Sequence, residues 1–299
     1  MTSALAPIGH SDVPPIPEGP VLRRMRWEVT MAMEAPRVFA NIDKAHSRNL
    51  PSFWRLPEVM KFKGEEPIAL VGGGPSLNKT IADLRQFRTV VACGSAHDHL
   101  IENGIVPRYC VVADPDAIAA DYIKKPHPSC TYLVASQCDD AVFDALKNYP
   151  VAVWHSGGIG TPEEQEKLFR KENAIGGGST VFLRSINIAI ILGYGNQHYF
   201  GFDSCLDDGV HHAYVADDDV MKENLKRLID VRVVGSDRIF FCLPYMAAQA
   251  EQFQGLLKRQ GNLFTPTIHG DGLIAEIMRQ GRRLQMEKEN ATLADVSLR

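Results

Sequence analysis

At 299 residues, with 45% hydrophobic and 23% charged side chains, the chain is long enough for one large α/β domain with extensions or for two modest domains. A formal net charge of −4 argues against a general nucleic-acid binder, and Arg23-Arg24, Lys124-Lys125 and Arg282-Arg283 are short enough to be solvated faces. Six cysteines, at 93, 110, 130, 138, 205 and 242, form no C-x-x-C pair and lie partly in apolar runs, so reduced thiols in a cytoplasm are expected, with no structural zinc and no haem.

Residues 1–20 carry Pro7, Pro14, Pro15, Pro17 and Pro20 and are expected to form a disordered arm without the apolar core of a secretory signal. Residues 21–65 read as a helical N-terminal extension, helical to about Leu50 and broken at Pro36. Trp27, Met31, Val38 and Ile42 share its apolar face, and Phe53 and Trp54 pin the irregular remainder. Residues 66–275 alternate apolar strands (68–71, 89–93, 109–113, 131–135, 151–154, 198–202, 238–243, 262–264) with helical stretches. The helices are expected at 80–87, 97–102, 117–123, 139–146, 180–192, 217–231 and 245–259. This order predicts a Rossmann-like α/β fold, a mostly parallel sheet with helices on both faces, whose ligands bind at the carboxyl ends of strands. Residues 276–299 form a C-terminal helix and tail; with the N-terminal helices they offer a surface for a homo-oligomer, or simply fray. The longest apolar helical stretch, 181–192, is too short to span a membrane and carries Arg184 and Asn187.

The first strand, Ile68-Ala-Leu-Val71, runs into Gly72, Gly73, Gly74, Pro75 and Ser76. Glycines let backbone approach a ligand closely, and exposed N–H groups after a strand suit a nucleotide's phosphates. The turn is neither a dinucleotide fingerprint, lacking the third glycine at Leu77, nor a Walker A loop, with Asn78 where glycine belongs; NAD is therefore not expected. A ligand-free connecting turn is the plain alternative. After the second strand, Gly94 and Ser95 can admit a base or ribose, whereas His97 and His99 read as surface residues. After the third, Asp114 is placed to hold Mg²⁺ or a ribose hydroxyl, or else caps a helix. Gly176, Gly177, Gly178, Ser179 and Thr180 open an apolar helix closed by Gly193, a second anion site or merely close packing. The strand ending at Asp203 leads to Asp207-Asp208-Gly209 and to His211 and His212. One of these histidines can act as general acid or base with Asp203 as its orienting partner, unless the loop is only an exposed turn. Asp217, Asp218 and Asp219 suit a helix N-terminus better than a metal.

Val71-Gly-Gly-Gly-Pro-Ser-Leu77, Ala113-Asp-Pro115, Gly177-Gly-Ser-Thr180, Leu192-Gly-Tyr194, Gly201-Phe-Asp203 and Asp208-Gly-Val-His-His-Ala-Tyr214 together resemble the MptE-like family over roughly residues 66–275. That family includes archaeal 6-hydroxymethylpterin pyrophosphokinases and the Maf flagellin-modification proteins, and 177–203 is also similar to bacterial CMP-sialic acid sialyltransferases. The compact layout resembles members from bacteriophages or their bacterial hosts. By this resemblance Gly73, Gly74, Pro75 and Ser76 lie against a nucleotide, with Gly178, Ser179 and Thr180 opposite. Asp114 and Asp203 line the same cleft, and His212 matches the histidine after the Asp-Gly turn.

Three readings follow. One is Mg-dependent pyrophosphoryl transfer from ATP to a hydroxymethylpterin-like alcohol, with Asp114 on the metal and His212 assisting deprotonation. The second is a glycosyltransferase using a CMP-linked sugar, with His212 as base and a small-molecule or glycan acceptor. The third is a non-catalytic nucleotide-binding module.

Overall fold

Four consecutive buried aliphatic residues are what a strand covered on both faces requires, and Ile68–Val71 (β1) lies inside an all-parallel eight-stranded sheet. The structure is a computed structural model that describes residues 35–214 and 227–297. From β1 the sheet grows outward through Thr89–Cys93 (β2), Tyr109–Val112 (β3), Thr131–Ala135 (β4), Val151–Ser156 (β5) and the two-residue Ala174–Ile175 (β6). The chain then returns across the sheet and places Asn196–Phe200 (β7) on the other side of β1, with Thr265–His269 (β10) outside it. The crevice between β1 and β7 is therefore the point where strand order reverses, the general ligand position of open α/β sheets.

The returning connection is the helix Val181–Ile191, called α6 after the earlier helices Ala35–Ser47 (α1), Leu77–Thr80 (α2), Ala96–Glu102 (α3), Asp140–Ala145 (α4) and Pro162–Leu168 (α5). Its Phe182, Leu183, Ile186, Ile188 and Ala189 are buried against β1, β2 and β3, each large side chain contributing about 1.5–3 kcal/mol. Gly193, at φ +92, ends it where segment 60–63 crosses: Met60 N–H donates to Ile191 O at 2.8 Å and Lys63 N–H to Gly193 O at 2.9 Å. Phe53 is buried beneath that irregular segment, and Val153 N–H donates to Pro51 O at 2.8 Å, which adds the segment to the β5 side of the sheet.

Several expectations are corrected. The described part of the helical extension is α1, with Pro36 near its first described residue; the expected helix before Pro36 lies outside the described residues. Val38 and Ile42 of α1 pack with Ile159 and Phe169 in a small cluster of their own; Trp27 and Met31 lie outside the described residues. Segments 81–86 and 117–123 are 3-10 turns, and α5, unforeseen, carries a full capping box from Thr161 and Glu164. Of the helix expected over 217–231, residues 217–226, with Asp217, Asp218 and Asp219, lie outside the described residues, and its last residues are instead in Ile229–Arg232 (β8), which pairs antiparallel with Ile239–Cys242 (β9) in a separate hairpin. The last strand forms three residues later than expected because Leu263 and Phe264 belong to the turn after the helix Pro244–Gln260 (α7). His97 is buried rather than on the surface, its ring held by Asp98 Oδ1 at 2.7 Å and by the Tyr132 hydroxyl at 3.0 Å. A final helix, Leu273–Ser297 (α8), buries Leu273, Ile274, Ile277 and Met278 at its start.

Candidate functional site

A cleft opens at the carboxyl ends of β1, β2 and β7. Its floor is Gly72, Gly73 and Gly74, one wall is the start of α6 at Thr180, Val181 and Phe182, and the other is the chain after β7 with the first turns of α7. Thr180 caps α6, its Oγ accepting the Leu183 N–H at 3.4 Å and Gln249 Nε2 of α7 at 2.9 Å. Ser95 contributes from the end of β2.

The glycine turn departs from its expected role as a cradle of free amides. Gly72 N–H donates to Phe200 O at 2.8 Å and Gly74 N–H to Gly201 O at 2.9 Å. Gly201 sits at φ +58, and a Cβ on Gly72 would lie 2.6 Å from its carbonyl oxygen. These glycines let two strand ends interlock across the switch point, so two of the turn's N–H groups are engaged within the protein. Ser76 N–H is engaged as well, donating to Asp203 Oδ2 at 2.9 Å. Pro75 and Ser76 lie behind the floor and do not line the cleft. Gly73 is different: its carbonyl accepts Ala213 N–H at 2.9 Å, and a Cβ there would come within 2.9 Å of His212 Cδ2 and strike the Tyr214 hydroxyl.

The second glycine run also splits. Gly177 and Gly178, at φ +139 and +128, wrap the first turn of α6, where a Cβ on Gly177 would lie 2.6 Å from Leu183 O. Ser179 gives both its amide and its hydroxyl to Gln252 Oε1, at 2.8 and 2.9 Å. Of this run Thr180 alone reaches the cleft lining.

The histidines come from the turn at Asp207-Asp208-Gly209, which closes through paired Asp207–Val210 backbone bonds of 3.0 and 2.8 Å. That turn sends His211 and His212 into the cleft, half-buried instead of exposed. Their Nδ1 atoms are 2.6 Å apart, and His211 Nε2 meets the Tyr245 hydroxyl of α7. Thus His212 takes its ring partner from His211, where Asp203 was expected; the Asp203 carboxylate is already turned down onto Ser76. Tyr214 stacks on His212 with ring centres 5.2 Å apart and donates its hydroxyl to Ser95 Oγ at 2.5 Å. Tyr245, Gln249 and the stacked pair Phe182–Phe202, 4.0 Å between centres, are further site residues that no local motif announces.

Asp114, expected to hold Mg²⁺, and Asp203 do not share the cleft. Asp114 is exposed, outside the cleft lining, with its Oδ1 accepting the Asp116 N–H at 2.9 Å in a local turn, while Asp203 is the one lining carboxylate among the described residues. Among the described residues no three His, Cys, Asp or Glu side chains cluster as a metal site.

The family model described as "6-hydroxymethylpterin diphosphokinase MptE-like" matches residues 39–209. The chain belongs to the MptE-like family. The match reaches back into α1 and stops at Gly209, so it does not include His211, His212, Tyr214 or Tyr245. Among solved structures, the MAf glycosyltransferase from Magnetospirillum magneticum AMB-1 is similar, at 15% identity and a TM-score of 0.58 over 81% of this chain. The chain spans 38% of that protein's length, and the likeness speaks for the fold. Among curated proteins none matches the chain significantly. No described helix of this MptE-like chain is long and apolar enough to cross a membrane.

Burial sets the electrostatics of the MptE-like cleft. It lowers His211 to about 4, and burial together with His211 lowers His212 to about 4, so both rings are neutral at pH 7. Burial raises the Asp203 carboxyl against the opposing pull of its Ser76 hydrogen bonds, and pushes the Cys93 thiol up to about 12. No lysine or arginine lines the cleft among the described residues.

Proposed function

We propose that the cleft binds a nucleotide-linked donor and transfers its group to an alcohol, and that the donor is a nucleotide sugar carrying a single phosphate, of the CMP-sugar type. The observation that supports this most is the lining itself: hydroxyls of Ser95 and Thr180, the positive end of α6 and neutral histidines, with no lysine or arginine among the described residues. A helix N-terminus and a few hydroxyl donors suffice for one phosphate. A triphosphate, with its greater charge, ordinarily calls for basic side chains or metal-holding carboxylates. The glycosyltransferase title of the MAf neighbour agrees in kind.

In this reading the phosphate leaving group lies against Thr180 and the first turn of α6, with Ser95 across the cleft. Phe182 and Phe202 exclude water behind it. His212 Nε2, which has no hydrogen-bond partner among the described residues, accepts the acceptor's hydroxyl proton. Asp203 holds the glycine floor in place through Ser76.

The family description favours a second reading, pyrophosphoryl transfer to a hydroxymethylpterin-like alcohol. A non-catalytic nucleotide-binding module is the third. Turnover assays separate them. CMP release from CMP-sialic acid with an alcohol acceptor, unchanged by EDTA, supports glycosyl transfer. AMP release from ATP in the presence of a hydroxymethylpterin and Mg²⁺ would replace it with the diphosphokinase. Binding of nucleotide with neither product would leave the module.

A further inference from the structure

The His212 ring is not an isolated base. Its Nδ1 lies 2.6 Å from His211 Nδ1, the two rings stand at 89°, and His211 continues through Nε2 to the Tyr245 hydroxyl. Three residues from two separated segments, the loop after β7 and the start of α7, thus form one hydrogen-bonded file along the cleft wall. Its inner end, His212 Nε2, has no partner among the described residues, while Tyr245 at its outer end is 36% exposed. From this geometry we propose that Tyr245, His211 and His212 are a proton relay that carries the acceptor's hydroxyl proton from the cleft to solvent.

The inference rests on the alcohol-transfer reading, and its steps balance. At rest His212 carries its proton on Nδ1 and donates to His211 Nδ1, and His211 Nε2–H donates to the Tyr245 oxygen. When the acceptor O–H breaks, His212 Nε2–H forms. The His212 Nδ1 proton moves to His211 Nδ1, the His211 Nε2 proton moves to the Tyr245 oxygen, and Tyr245 releases its own proton to water. Nothing is oxidised or reduced, and both imidazoles finish neutral with their tautomers reversed. The electron pair of the broken acceptor O–H stays on its oxygen, which attacks the donor. The benefit is electrostatic, since a lone His212 would have to hold an imidazolium in a buried place where ionisation is disfavoured.

The other groups facing the file leave this path intact. Tyr214 stacks on His212 but spends its hydroxyl on Ser95; the Asp203 carboxylate is tied to Ser76; the Cys93 and Cys205 thiols, elsewhere in the lining, are held protonated by burial. Sequence proximity explains the two histidines meeting, but the addition of Tyr245 needs α7 to start at this place. Leu243 precedes it with Pro244 in the first turn, which fixes where α7 begins and so aims Tyr245 back at His211.

The test uses the full chain labelled with ¹⁵N-histidine and needs no substrate. Ring ¹⁵N shifts at pH 7 are expected to show both histidines neutral, with a strongly deshielded shared proton. Tyr245→Phe, which keeps the ring and removes the outlet, is expected to move the tautomer balance of His212 as well as of His211. A Tyr245→Phe spectrum in which His212 is unchanged would overturn the relay. In the turnover assay with a CMP-sugar, Tyr245→Phe and His211→Gln are expected to lower kcat by about 10–100-fold with KM within about twofold, and to steepen the rise of rate with pH. Unchanged kcat in both variants would also overturn it. If no donor is turned over, the ring shifts still decide the relay, and the failure then belongs to the transfer reading.

Discussion

Neighbouring glycines in the floor carry different duties, and single methyl groups can separate them. A Cβ on Gly72 presses on the fixed Gly201 carbonyl at 2.6 Å, so Gly72→Ala is expected to cost about 1–3 kcal/mol of stability, read as a lower midpoint in urea. A Cβ on Gly73 instead meets His212 and Tyr214, side chains of a surface loop that can move aside. Gly73→Ala is therefore expected to fold with a midpoint near the wild type's and to lose ligand affinity at least tenfold by titration calorimetry. Equal stability losses in the two variants would contradict this division. The histidines carry a pH signature. Their folded values near 4 lie below the ordinary 6.5, so between those limits the unfolded chain binds more protons than the folded one. Stability is fully present above about 6.5 and falls as pH drops toward 4. His99, His155, His198 and His269 are also shifted down by burial and add to the total, so the contrast must be made by variant. In His212→Gln the loss of melting temperature between pH 7 and pH 4.5 is expected to be smaller than in the wild type; an equal loss would contradict the burial of a neutral ring.

At the scale of elements, α6 joins fold to site. Its apolar body is the returning crossover that puts β7 beside β1, and its capped N-terminus is a wall of the cleft. Thr180→Ala removes the cap and the acceptor for Gln249, and is expected to cost about 1 kcal/mol in chemical denaturation while weakening anion binding in the cleft. Thr180→Ser, which keeps the hydroxyl, is expected to restore both; a Ser variant as weak as Ala would contradict the capping role. Continuous apolar runs made β1 through β5 legible in the sequence, because a parallel strand buried on both faces has no other composition. Strand β9 was legible as the strand over 238–243, but its partner β8 and their separate hairpin were not. In β9, Ile239 and Phe241 are exposed while Phe240 and Cys242 are buried, an alternation too short to tell apart from a core strand by composition. The glycine turn was found but its amides were misassigned, since their partners, Phe200 and Gly201, arrive only through the crossover of α6. Tyr245 and Gln249 were missed for the same reason: α7 is brought to the cleft by tertiary packing, and a helix start carries no local mark of what it faces.

For the whole molecule, one sheet with a single reversal of strand order gathers β1, β2, β7, α6 and α7 around one cleft, and membership of the MptE-like family agrees with that architecture. The central claim is that this cleft takes a singly phosphorylated nucleotide donor. The most direct measurement is a thermal-shift series of CMP, CMP-sialic acid, ATP and GTP, each with and without Mg²⁺, on the wild type and on Gly73→Ala. A ligand at 100 times its dissociation constant adds about 2.7 kcal/mol, a rise of several degrees. The expected result is stabilisation by CMP and CMP-sialic acid without metal, lost in Gly73→Ala. A shift confined to ATP with Mg²⁺ would contradict the donor assignment, and no shift with any nucleotide would contradict nucleotide binding in the cleft.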